Sequence, residues 1–257
     1  MSTYLENLFS LSGRTALVTG GSSGIGLAMA TALAAAGARV CLLARTKDTL
    51  HAVAAELRSD GADVHWVAAD CGDQNALLAA ATQAETRLGQ VDILVNAAGI
   101  NLRPPMERLT PDDWAQTVAI NLTAPFLLGQ RFGPLMADRG FGRIINIGSQ
   151  QQHSAFGKSG AYGASKAGLA GLTRSQAEAW SSRGVTANTV VPGFVLTPLT
   201  SDAASDPARV AALAARSMTG RNGLPADFAG IAVFLASAAA GYVTGQAVCV
   251  DGGFSVH

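Results

Sequence analysis

Charge is scarce in this chain. Asp, Glu, Lys and Arg make up 14% of its 257 residues, and the eighteen basic side chains equal the eighteen acidic ones. With no net field, overall charge draws the protein neither to nucleic acid nor to an anionic membrane, so a charged ligand has to be recognised by local side chains. Cysteine is scarce too: Cys41, Cys71 and Cys249 show no metal-ligand spacing and fall on or just after apolar runs. Buried, reduced thiols in a cytoplasmic protein are expected rather than disulfides. No cluster of His, Cys and carboxylates predicts a metal site. Long apolar runs are missing as well. The alanine-rich helical stretches stop short of the ~18 uninterrupted residues of a membrane span, and Met1 to Ser10, with Glu6 and Asn7, lacks the apolar core of a secretory signal.

What is present is a 49% hydrophobic chain, enough to bury a large core as a single domain over residues 1–257. Apolar, β-prone runs at 14–19, 40–44, 64–69, 93–95, 143–147, 185–191 and 247–250 read as strands. Helical patterns at about 26–36, 50–58, 75–88, 112–136, 162–182 and 225–236 fall between them, with Pro111 at a helix start where its missing N–H costs nothing. Strands this continuously apolar suit a parallel sheet covered on both faces. Regular alternation predicts an α/β, Rossmann-like, doubly wound parallel sheet of seven strands, whose ligands bind beyond the carboxyl ends of the strands.

Three groups of residues carry chemistry. Gly20-Gly21-Ser22-Ser23-Gly24-Ile25-Gly26 follows the first strand and opens a helix. Its glycines let the backbone approach a pyrophosphate, whose charge is met by N–H groups at the helix N-terminus. The spacing differs from the Gly-x-Gly-x-x-Gly dinucleotide fingerprint, and a turn of this kind also has a purely structural reading. Tyr162 and Lys166 stand four apart on a predicted helix and so share a face. An ammonium beside the phenol favours the phenolate, so the Tyr162 pKa is expected to fall toward the working pH of a general acid or base. The Ser149 hydroxyl, thirteen residues before Tyr162, could hold the reacting oxygen.

In their order and spacing, these motifs resemble the short-chain dehydrogenase/reductase family of the single-domain type. The likeness runs from Leu11 to Gly253 and rests on Thr19-Gly20-x-x-x-Gly24-Ile25-Gly26, Asn96-Ala97-Ala98-Gly99, Asn121, Ser149, Tyr162 with Lys166, and Pro192-Gly193. The resemblance implies a nicotinamide cofactor and a tetrad of Asn121, Ser149, Tyr162 and Lys166, in which the Asn121 side chain holds a water linking Lys166 to solvent. It implies a cofactor half at about 11–148 and a catalytic and substrate half at about 149–257. Gly20, Ser22, Ser23, Gly24, Ile25, Gly26, Asp70, Cys71, Asn96, Ala97 and Gly99 would line the cofactor. Lys166 would anchor the nicotinamide ribose, and Pro192, Gly193, Val195 and Thr197 would flank the nicotinamide. Asp70 has a second reading as the cap of the next helix, and Asn96 in such proteins braces the central strands. The family usually forms homotetramers through its fourth and fifth helices and its last strand.

Cofactor choice turns on the loop after the second strand. NAD-specific members of the family usually carry an acid there; this chain has Ala44, followed by Arg45. No carboxylate is present to repel a phosphate, and the Arg45 guanidinium could pair with a 2′-phosphate and stack on adenine, so NADP is expected over NAD. Within the family the chain most resembles gluconate 5-dehydrogenases and related sugar-acid dehydrogenases, through Leu8-Phe9-Ser10-Leu11, Gly99-Ile100-x-x-Arg103 and Ser149-x-Gln151. A 3-oxoacyl-carrier-protein reductase, a broad ketone reductase and, remotely, a silent NADP-binding scaffold are the alternatives. Arg103 could grip a carboxylate or merely pair with Glu107, and Gln151 and His153 lie in a polar loop at the expected substrate mouth. The segment from Leu196 to Gly220 should cover the substrate.

Overall fold

The computed structural model describes residues 3–257. After a short helix, α1 (Thr3–Phe9), strands and helices alternate: β1 (Thr15–Thr19), α2 (Gly24–Ala35), β2 (Arg39–Ala44), α3 (Lys47–Ser59), β3 (Val64–Ala68), α4 (Gln74–Leu88) and β4 (Ile93–Asn96). The second half continues with α5 (Pro111–Val118), a π-helical turn (Ala119–Thr123), α6 (Ala124–Asp138), β5 (Gly142–Ile147), α7 (Gly160–Trp180) and β6 (Val185–Pro192). Then come α8 (Ser201–Ala204), α9 (Pro207–Arg216), α10 (Ala229–Ala236) and β7 (Ala247–Val250). The seven strands form one parallel sheet in the order β3-β2-β1-β4-β5-β6-β7, the doubly wound arrangement that the alternation predicts.

Strands β1, β4, β5 and β6 are buried at every residue, as continuously apolar strands between two helical layers must be. On one face α2, α3 and α10 pack Met29, Leu33, Leu50 and Leu235 against Val18, Val40 and Ile145. On the other, α4, α6 and α7 bring Leu77, Phe132, Met136 and Trp180 onto Leu17, Leu94 and Ile144. Fully burying side chains of this size contributes roughly 1.5–3 kcal/mol each, so the two layers hold the strand ends, and the site built on them, in fixed register.

Several elements depart from expectation. The predicted helix over 112–136 is broken by the π turn that contains Asn121. The reason is Pro125: it has no N–H to offer the carbonyl of Asn121 four residues back, so a regular α-helix cannot pass this point. Helix α4 is capped by Asp73, whose Oδ1 accepts from Asn75 N at 2.9 Å and Ala76 N at 3.0 Å. Asp70 does not cap it; its Oδ1 accepts from Gly72 N at 2.8 Å instead. Cys41 and Cys71 are buried, their thiols pushed up to about 12 by burial, whereas Cys249 on the edge strand β7 is exposed, against expectation. Among the described residues no helix is long and apolar enough to cross a membrane, and no group of three or more His, Cys, Asp or Glu side chains is placed to hold a metal ion.

Candidate active site

The carboxyl ends of β1, β4, β5 and β6 open onto a continuous crevice, and the first turns of α2 and α7 reach into it. Tyr162 and Lys166 share one face of α7, as their spacing predicts. Lys166 is 4% exposed; its ammonium donates to the Ile147 carbonyl at 2.6 Å and stands 5.7 Å from the centre of the Tyr162 ring. Burial lowers the Lys166 pKa to about 8. The Tyr162 phenol moves the other way, contrary to the sequence expectation. Burial pushes it up, and the Ser149 hydroxyl and the Arg103 guanidinium draw it back only in part. The physical reason is desolvation, which penalises a phenolate enclosed by protein, while the Lys166 ammonium is engaged by a backbone carbonyl. Ser149 Oγ accepts from Gln151 N at 3.2 Å, which leaves its own O–H free to donate.

Asn121 is wholly buried. Its Oδ1 accepts from Ile100 N at 2.9 Å, and its Nδ2 donates to the Ile100 carbonyl at 2.9 Å and to Ser165 Oγ at 3.1 Å. Both amide hydrogens are occupied, and these bonds tie the π turn to the loop after β4. That loop carries Gly99, where a Cβ would lie 3.3 Å from Asn121 Oδ1 and 3.8 Å from Lys166 Nζ. Asn96 pairs with its register partner Asn146, Nδ2 donating to Oδ1 at 2.7 Å, and so braces β4 against β5.

The dinucleotide half of the crevice is a cleft of about 190 Å³ between the glycine turn, Ala97 to Gly99, Ser149, Tyr162, Lys166 and the Pro192 to Thr200 segment. Gly20 and Gly24 have φ of +66° and +55°, a region where a side chain is strained. A Cβ on Gly20 would sit 2.8 Å from Ala98 N, and one on Gly24 would sit 3.3 Å from Thr197 Cγ2. Ser23 makes no side-chain cap to α2, so the first N–H groups of that helix are left to meet an anion. The cradle fits a nicotinamide dinucleotide. Ser23, Ile25, Gly26, Gly193, Val195 and Thr197 line the cleft with these groups; Ser22, Arg45, Asp70, Cys71 and Asn96 do not. Arg45 is exposed at the end of β2, close enough to Cys71, with Asp70, for both charges to act on its thiol.

A second cavity of about 380 Å³ meets the cleft at Ser149 and Tyr162. Arg103, Gln151, Asn101 and Phe254 line it, with Asp202 and Arg209 from the segment over the site. Arg103 does not pair with Glu107; it donates to the Gly157 carbonyl at 2.5 Å. His153, expected at the substrate mouth, is exposed, lies outside the cavity lining and contacts Gln152 Nε2 at 2.8 Å. Asn101 and Gln151 each carry a buried amide oxygen without a hydrogen-bond partner. Asn101 could have been suspected from its place two residues after Gly99. Phe254, near the chain's end, carries no local signal and reaches the cavity only because the sheet brings Asp251 against Gly193, whose Cβ would lie 2.9 Å from Asp251 Cα.

Comparison with known proteins agrees with this geometry. A family model described as enoyl-(acyl carrier protein) reductase matches residues 20–255. The chain is 41% identical to D-threitol dehydrogenase of Mycolicibacterium smegmatis, over 96% of this chain and 95% of the relative. It is 37% identical to gluconate 5-dehydrogenase of Gluconobacter oxydans, over 97% of this chain and 98% of the relative. Among solved structures, a gluconate 5-dehydrogenase from Burkholderia cenocepacia in complex with NADP and tartrate superposes with a TM-score of 0.93 at 36% identity, covering 98% of this chain and 99% of that one. Whole-length likeness at this level, joined to a glycine cradle and a Ser-Tyr-Lys constellation on one doubly wound sheet, establishes that the chain belongs to the short-chain dehydrogenase/reductase family, whose enzymes are NAD(P)-dependent and act on CH–OH groups.

Proposed function

We propose that the protein is an NADP-preferring dehydrogenase that interconverts a secondary alcohol and its ketone on a polyhydroxy acid such as gluconate or 5-ketogluconate. The observation that carries this reading is the chemistry of the second cavity. It presents the Arg103 guanidinium for an anionic group and two buried, unpartnered amide oxygens, on Asn101 and Gln151. A buried acceptor without a donor costs about 1–3 kcal/mol, and substrate hydroxyls would supply the donors. The chain of a 3-oxoacyl thioester has none to give.

A nicotinamide dinucleotide, when bound, supplies the hydride donor or acceptor. The glycine turn from Gly20 to Gly26, with Ser22 and Ser23, would hold its pyrophosphate. Arg45 would hold a 2′-phosphate, Asp70 and Cys71 would border the adenine, and Ala97 and Gly99 the adenosine side of the crevice. Lys166 would anchor the ribose beside the nicotinamide, and Pro192, Gly193, Val195 and Thr197 would flank the ring. In reduction, Ser149 donates to the substrate carbonyl oxygen and Tyr162 gives that oxygen its proton as charge grows there. The upward shift of the phenol keeps Tyr162 in the protonated form this step needs. In oxidation the Tyr162 phenolate takes the proton back from the carbinol oxygen, helped by the Lys166 charge. Asn121 holds Ile100, and through it the loop bearing Arg103, at a constant distance from Tyr162.

Oligomerisation belongs to the same reading. β7 forms an edge of the sheet with Ala247 and Cys249 exposed, and Tyr242 just before it is fully exposed. A homotetramer covering this edge is expected, and light scattering from the eluted protein should return four chain masses. The test of the substrate is Arg103→Ala. It should raise KM for 5-ketogluconate far more than for a neutral ketone. Equal loss on both would indicate loop damage, and good turnover of 3-oxoacyl thioesters with none of any sugar acid would transfer the assignment to an acyl reductase.

A further inference from the structure

Two arginines from separate elements line the substrate cavity. Arg103 comes from the loop after β4 and is held by the Gly157 carbonyl at 2.5 Å; Arg209 comes from α9, in the segment over the site. Neither has an Asp or Glu oxygen within 4 Å among the described residues. The acid nearest to Arg209 in sequence is otherwise engaged, since Asp206 Oδ1 accepts from Ala208 N at 3.0 Å and Arg209 N at 3.2 Å to cap α9. Helix α9 buries none of its residues fully; Val210, Leu213 and Ala214 are half-buried, and the Val210 carbonyl accepts from Asn222 Nδ2 at 2.9 Å. The two like charges are close enough for Arg209 to depress the Arg103 pKa, after the larger effect of burial. Two unpaired cations across one cavity repel each other, and that repulsion opposes descent of the helix. An anion between them removes it.

We propose that Arg209 is a specificity-determining residue, the second half of an anion clamp in which a carboxylate on the substrate bridges Arg103 and Arg209 and draws α9 over the cavity. This rests on the sugar-acid reading and adds to it a residue and a motion. A carboxylate has two oxygens and can accept from both guanidiniums at once. A neutral polyol cannot offset the repulsion, so it would turn over with α9 raised and the reacting centre less well shielded from water. Asp202, on α8 in the same cavity, remains available to accept from substrate hydroxyls.

The experiment compares wild type, Arg209→Gln, Arg209→Glu and Arg209→Lys, each saturated with NADPH, on 5-ketogluconate and on the neutral ketose erythrulose. A charge-assisted contact of ordinary strength predicts a rise of roughly ten- to a hundredfold in KM for the keto acid in Arg209→Gln. Arg209→Glu should suffer a larger rise, Arg209→Lys should recover part of the loss, and KM for erythrulose should move by less than about threefold. Limited thermolysin digestion, which cuts before apolar residues such as Val210 and Leu213 that the variants keep, gives the second readout, with 5-ketogluconate protecting residues 201–216 in wild type and not in Arg209→Gln. Wild type with no preference for the acid over the ketose would refute the sugar-acid reading itself. A wild-type preference that survives intact in Arg209→Gln, or equal KM rises on both substrates, would overturn the clamp alone.

Discussion

Replacing Asn121 by Ala tests whether this side chain is a brace, as its contacts indicate. The substitution removes three hydrogen bonds, to Ile100 N, to the Ile100 carbonyl and to Ser165 Oγ. Ser165 Oγ keeps a partner because it also donates to the Tyr162 carbonyl at 2.8 Å. Ile100 loses a partner for both its N–H and its C=O. A stranded buried group costs about 1–3 kcal/mol; Ile100 is half-buried and water can reach part of the gap, so about 2–4 kcal/mol in total is expected. For a chain of this size each kcal/mol lowers the melting temperature by ~2–4 °C, giving a fall on the order of 5–15 °C, measurable by scanning fluorimetry and urea titration of the free protein. Asn121→Asp sharpens the test. Its second oxygen would face the Ile100 carbonyl in a fully buried position, so the carboxyl pKa in the folded state would be raised. A raised pKa means the folded form binds the extra proton, so stability is present at low pH and lost as pH rises; this variant should melt lower at pH 7 than at pH 5. Asn121→Ala melting within about 2 °C of wild type, with turnover nonetheless reduced by orders of magnitude, would refute the brace and restore the proton-relay role.

Tyr162→Phe should reduce turnover by ~10² to 10⁴-fold while NADPH still quenches protein fluorescence on binding; turnover within a few-fold of wild type would remove Tyr162 from the proton transfer. Arg45→Ala should weaken NADPH binding by roughly ten- to a hundredfold and leave NADH nearly unchanged, and equal affinity of the wild-type protein for both cofactors, by calorimetry, would show that Arg45 does not read a 2′-phosphate. Because the Lys166 ammonium loses its proton around a pKa of about 8 in the free protein and that charge would anchor the ribose beside the nicotinamide, kcat/KM for ketone reduction should be level below that pH and fall above it. Oxidation, which draws on the Lys166 charge to favour the phenolate, should fall over the same range, and a reduction profile still flat well above pH 9 would exclude Lys166 from the titration.

The amino-acid sequence alone determined the layer architecture and the principal motifs. Continuous apolar strands between helical stretches admit few folds other than a covered parallel sheet. Glycines with Ser22 and Ser23 at a strand-to-helix turn, and a Tyr-Lys pair four apart on a helix, are local patterns that survive without any knowledge of distant neighbours. The break in the helix over 112–136 was not read from the sequence, although Pro125 denies Asn121 its N–H. Tertiary structure decided the rest. The direction of the Tyr162 shift depends on how much protein encloses the phenol and on Lys166 finding the Ile147 carbonyl, neither of which spacing can show. The occupancy of the Asn121 amide depends on Ile100, twenty-one residues away, and the pairing of Arg103 depends on Gly157, fifty-four residues away. Arg103, Arg209 and Phe254 share one cavity only because the sheet gathers the ends of β4 and β6, α9 and the C-terminal segment at one edge. Contacts between elements far apart in the chain leave no periodicity in sequence, because each is made by packing that both partners enter only after their own elements have formed.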